Sequence, residues 1–142
     1  MKTLRQHERA MDARFGGKTV AGGPFRLKRR VQIASSDLQG AGRTHGKSPL
    51  SLVMSARTMA IVARFIMHSP NREANERFFE VSVDTAIKMM AAYTTLAVER
   101  CRQYQKDGYS FDLVMCSKIM QKCKDVYAEW KADKAKTLSA TA

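Results

Sequence analysis

Glycine divides this chain in two. Seven of its eight glycines fall within the first 46 residues, and only Gly108 lies beyond them. Glycine loses more backbone freedom on ordering than any other residue, so a segment punctuated in this way resists joining a core. The same segment holds a disproportionate share of the positive charge. Residues 1–50 carry 11 Lys and Arg against 3 Asp and Glu, a net of +8, whereas residues 51–142 carry 14 against 10, a net of +4. Like charges repel, and a glycine-rich cationic segment needs a polyanion to hold it still. The sequence therefore predicts an extended basic arm over residues 1–48, a helical body over 49–136 and a flexible tail over 137–142.

Within the arm, residues 1–14 could form a short helix with Leu4, His7 and Met11 on one side, and Gly16-Gly17 and Gly22-Gly23-Pro24 then break the chain twice. Next, Phe25, Leu27, Val31 and Ile33 alternate with Arg26, Lys28, Arg30 and Gln32, and Arg29 alone violates the alternation. Period two predicts an extended ribbon with one apolar and one basic edge. Side chains along one edge repeat every ~6.6 Å, a spacing comparable to successive phosphates of a nucleic-acid strand. Arg14, Lys18, Arg26, Lys28, Arg29, Arg30, Arg43 and Lys47 are thus the expected backbone contacts. Arg57 and Arg64, which share one side of the next helix with His68, extend that surface onto the body.

The body reads as three helices. Ser48-Pro49 pairs a capping serine with a proline whose missing N–H costs nothing, and opens a helix to about His68. Ser69-Pro70 repeats the device and opens a second helix that lasts to Asp107-Gly108. At roughly 36 residues this helix would span about 54 Å. Phe79, Val83, Ala86, Met90, Tyr93, Ala97, Cys101 and Tyr104 form one apolar stripe on it, and Phe78, Val81, Met89, Ala92 and Leu96 a second. Two stripes predict packing on two sides. The third helix, capped by Ser110 and running to about Lys136, carries Phe111, Met115, Ile119, Cys123, Val126 and Trp130 on one face. The expected fold is all-α: a three-helix antiparallel bundle around one long central helix. The first helix is too short to cover the second, and the apolar surface left over predicts self-association or insertion into a larger assembly.

Signatures of catalysis are missing from the sequence. There is no GxSxG, no HExxH and no paired carboxylates in a plausible cleft, and GGKT at 16–19 lacks the first glycine of a phosphate-binding loop, position 12 being Asp. Cys101, Cys116 and Cys123 have neither the even number of a disulfide framework nor the CxxC spacing of a zinc site, so no cofactor or metal is expected. Leu50–Met67 is the most apolar stretch, but Arg57 and Arg64 interrupt it, and no transmembrane span is expected. The basic start would suit a mitochondrial transit peptide were it not for Glu8 and Asp12.

Phosphate contacts without a helix-turn-helix, zinc-finger or RNA-reader motif predict binding without sequence preference. In architecture, a basic extended arm on a helical bundle resembles the coat proteins of filamentous viruses, especially those of archaea, and ribosomal proteins with a basic extension threaded through RNA. The expectation is a non-enzymatic structural subunit that binds nucleic acid and assembles with copies of itself, a virion coat or nucleoprotein ahead of a ribosomal or mitoribosomal protein binding rRNA. An accessory subunit of an organellar membrane complex is the alternative of another class.

Overall fold

The structure, a computed structural model, describes residues 23–40 and 42–141. Among these the fold is all-α, with five helices and no strand: α1 Gly23–Gln39, α2 Pro49–Met67, α3 Arg72–Phe79, α4 Val83–Asp107 and α5 Leu113–Thr141. The helix α2 begins as its sequence demands, with Ser48 Oγ accepting from Ser51 N at 3.2 Å and Pro49 in the first turn. Likewise α4 ends at Gly108, whose φ of 79° places it in the left-handed region that glycine enters without strain.

Three expectations are overturned. First, the segment expected as an extended ribbon is the helix α1. Its buried residues Leu27, Val31 and Ala34 recur at helical spacing, while Phe25 and Ile33, needed for the apolar edge of a ribbon, are 39% and 50% exposed. The helical repeat prevails because it buries one continuous stripe against the bundle. Secondly, the helix expected over 70–107 is two. Glu80 adopts φ 56° and ends α3, and Ser82 opens α4 by accepting from Thr85 N at 3.1 Å. A carboxylate oxygen of Glu76 caps the Val83 amide at 2.9 Å, so the break satisfies the backbone groups it frees. The cap of α3 is Asn71 rather than Ser69, and that of α5 is Asp112, whose carboxylate accepts from Met115 N at 2.9 Å, rather than Ser110.

Thirdly, the central element is α2, not the long helix. Leu52, Val53, Ala56, Met59, Val62, Ala63 and Ile66 are fully buried and cover half of its circumference, with Ala60, Phe65 and Met67 buried beside them. So broad an apolar face needs several neighbours, and α1, α3, α4 and α5 all pack on it, leaving Leu50, Met54 and Arg64 exposed on the remaining side. By length and composition α2 is also the one described helix apolar enough to cross a membrane, and in this fold the other helices cover much of it.

Side-chain pairs give the directions. Tyr93 on α4 donates to Ala34 O on α1 at 2.6 Å and Lys28 pairs with Glu80, so α1 and α4 run parallel. Arg64 meets Glu129 and Arg72 meets Asp133, so α5 runs parallel to α2. Asp84 meets Trp130 and Tyr104 meets Phe111, so α4 and α5 are antiparallel. An aromatic chain from Phe25 through Phe78 and Phe79 to Phe65 ties α1, α3 and α2 together, with centroids 4.8–5.9 Å apart and rings edge to face. On α5 the buried stripe is Cys116, Ile119, Cys123 and Val126, whereas Met115, expected inside, is 46% exposed.

Candidate nucleic-acid interface

Winding residues 23–39 into a helix sorts the basic residues differently from a ribbon. Arg26, Arg29 and Arg30 now share the face opposite Leu27, Val31 and Ala34, all three are exposed, and none forms an ion pair among the described residues. Their positions at i, i+3 and i+4 place them within about 6 Å along the axis. The expected alternation of Arg26, Lys28 and Arg30 along one edge is therefore broken at Lys28. Its ammonium turns to Glu80 at 3.6 Å and stands 5.1 Å from the centroid of the Phe78 ring. Lys28 fastens α1 to the end of α3.

The loop after α1 adds one cation to this face. Arg43 donates to Ser36 Oγ at 2.7 Å, and its aliphatic stem lies so close over Gly40 that a Cβ there would meet it at 2.5 Å. Arg43 and Arg29 line one open cleft with Phe25, Gln32 and Ile33, in which Asp37 is the acidic residue. Lys47 instead pairs with Asp37 at 3.2 Å. Arg100, which the sequence reading passed over, donates to the carbonyls of Lys47 and Thr44 and pins this loop to α4. An arginine bonded to two main-chain carbonyls leaves no trace in a charge pattern.

On the body, Arg64 and Arg57 face α5 instead of extending the basic surface. Arg64 donates two hydrogen bonds to Glu129, at 2.9 and 2.8 Å, which raise its own pKa and lower that of the carboxylate. Arg57 is half-buried on the same side of α2, close enough to Cys123 to oppose the effect of burial, which pushes that thiol up to about 11. Such a thiol is protonated at neutral pH and unreactive. Arg14 and Lys18 lie outside the described residues. Of the ten expected contacts, the structure thus brings together Arg26, Arg29, Arg30 and Arg43, and assigns Lys28, Lys47 and Arg64 to internal pairs.

Among the described residues no three His, Cys, Asp or Glu side chains converge as a metal site would require. Comparison of the chain with protein-family models, with curated proteins and with solved structures gave no significant match.

Proposed function

We propose that this chain is a non-enzymatic structural subunit that binds nucleic acid along its phosphate backbone and builds into a nucleoprotein assembly, a viral coat or nucleoprotein before a ribosomal one. The observation that carries this reading is the outward face of α1. Three guanidinium groups without ion-pair partners among the described residues, beside a fourth at Arg43, form a cationic surface on a chain of net charge +12. Arginine matches phosphate geometry in two hydrogen bonds, and phosphate contacts fix position without reading sequence. Phe25 is the one exposed aromatic residue beside these arginines among the described residues, too few for a stacking platform, which favours backbone contact.

Assembly is supported by apolar residues at one end of the bundle. Tyr109, Leu113, Val114 and Met115, at the turn into α5, are 46–66% exposed, and Leu50 and Met54 open α2 at the same end because α2 and α5 run parallel. Clustered apolar exposure of this kind marks interfaces.

The test changes Arg26, Arg29 and Arg30 together to Gln. Three fewer phosphate contacts should reduce the log–log salt slope of duplex binding by about 3 and weaken unrelated sequences equally. Helix content should stay unchanged, since the three side chains face solvent. Unaltered affinity and slope would remove α1 from the interface and the reading with it.

A further inference from the structure

The helices α4 and α5 touch at their ends and part in the middle. At one end the Trp130 indole and the Lys134 ammonium both hold Asp84, and at the other Tyr104 packs on Phe111. Between these closures lies an open groove of about 390 Å³ whose floor is Met90, Val98, Met120, Cys123 and Tyr127. It runs from Ala91 to Val98, about two helical turns. No acidic side chain lines it.

Its rims are cationic. Lys124 lines the groove from α5, and Lys131, one turn on from Tyr127, stands 5.2 Å from the centroid of that ring. On α4, Lys88 and Arg102 lie seven residues either side of Thr95, which places both on the opposite lip; both are exposed, and Glu99 is the one acidic residue between them on that ridge. Lys88, Arg102 and Lys124 form no ion pair among the described residues. An apolar floor between two basic lips calls for an occupant with an apolar stripe and acidic flanks.

The chain itself does not supply one. Asp37, Glu73, Glu80, Asp84, Glu129 and Asp133 are spent in ion pairs, and Glu76 and Asp112 cap helices. Glu99, Asp107 and Asp125 are left, and they compose no acidic face. Residues 1–22 are basic, with 5 Lys and Arg against 2 Asp and Glu. A second copy or the chain's own N-terminal segment would therefore bring cations to cations.

We infer that the groove between α4 and α5 is the docking site for an acidic amphipathic helix of another protein. The partner inserts apolar side chains at i, i+3 or i+4, and i+7 between the two helices and sets carboxylates against Lys88, Arg102, Lys124 and Lys131. This surface lies apart from the arginine face of α1, so the protein would hold nucleic acid and an acidic partner together.

The test uses the full-length chain and two synthetic 20-residue helical peptides with identical leucine stripes, one flanked by Glu and one by Lys, compared by fluorescence anisotropy at physiological salt. The Glu peptide should bind at least about tenfold more tightly than the Lys peptide. K124E/K131E should lose at least about tenfold for the Glu peptide, while Arg26, Arg29 and Arg30 changed to Gln should leave it within about twofold. Ala91→Trp, which fills the groove without altering charge, should abolish binding. Equal affinity for both peptides, no binding of the Glu peptide, a loss confined to the arginine variant, or undiminished binding by Ala91→Trp would each overturn the proposal. So would binding of decanoate in the groove without binding of the peptide, which would make it a site for small anionic amphiphiles.

Discussion

The indole N–H of Trp130 donates to Asp84 at 2.8 Å, and the other oxygen of the same carboxylate takes the ammonium of Lys134 at 2.9 Å. With Arg64–Glu129 and Arg72–Asp133, this gathers the ion pairs that α5 makes among the described residues into residues 129–134. The upstream part of the helix is held by a single apolar stripe. The attachment of α5 is therefore unequal along its length: electrostatic near residue 130, apolar before it.

Trp130→Phe keeps most of the ring volume and removes the donor to Asp84. A hydrogen bond to a charged acceptor contributes roughly 1.5–3 kcal/mol, and partial exposure of Asp84 places the expected loss near the low end. Asp84→Asn, which retains an acceptor for the indole and loses only a solvent-exposed ion pair, should cost under about 1 kcal/mol. Urea titration of the two variants should rank them in that order.

Acid should loosen α5 first. The Asp84 carboxyl is held below its ordinary 3.8 by the hydrogen bonds from Trp130 and Lys134, and that of Glu129 below 4.5 by Arg64. A carboxylate whose pKa is lower in the folded chain contributes stability above its unfolded pKa and loses it as pH falls through the folded value. Stability should thus be level above about pH 5 and decline below about pH 4. Glu129→Gln should be less stable at neutral pH and show a smaller acid decline. Amide exchange at pH 7 and pH 3 should place the opening in the second half of α5.

Tyr93→Phe tests the docking of α1. The hydroxyl is fully buried and donates to Ala34 O at 2.6 Å, which ties the body of α4 to the backbone of α1. Its removal should cost about 1–2 kcal/mol and speed amide exchange in residues 27–38 more than in α2. Equal exchange in the variant would mean that the Tyr93 hydroxyl contributes nothing to holding α1.

Arg64→Gln separates structural from functional arginines. It should lower stability by roughly 1 kcal/mol through the loss of a two-bond pair with Glu129, part of it screened because both groups are partly exposed. The salt slope of nucleic-acid binding should not change, in contrast to the triple change on α1.

Much of the body was legible because its punctuation is local. Ser48-Pro49 and Asp107-Gly108 fix one helix start and one helix end by cap chemistry that needs no neighbour. The misread segment is the one where two periodicities compete. From Phe25 to Ile33 the alternation is nearly perfect, and only the addition of Ala34 and Leu38 completes the stripe Leu27, Val31, Ala34, Leu38 that a helix requires. The break at Glu80 has no glycine or proline to announce it. Ser82 followed by Asp84 was the available signal, overshadowed by apolar stripes that continue across it. At the site, the number of arginines was readable and their availability was not. Lys28, Lys47 and Arg64 are removed from it by Glu80, Asp37 and Glu129, partners that chain folding alone brings near.

The burial of α2 against four later or flanking helices has a consequence for synthesis. The helix is complete before α4 and α5 leave the ribosome, so for that interval its 19 residues lack most of the surfaces that later cover them. Wound as a helix they are about 28 Å long, close to the roughly 30 Å of a bilayer's hydrocarbon core. Their only charges are Arg57, at the centre, where it opposes entry into a bilayer by about 2.5–3.5 kcal/mol, and Arg64, nearer the end, where the cost is smaller. The two side chains that face α5 in the finished protein also bias the unfinished one towards water, and exchanging both for leucine should send nascent chains to the membrane before they can fold.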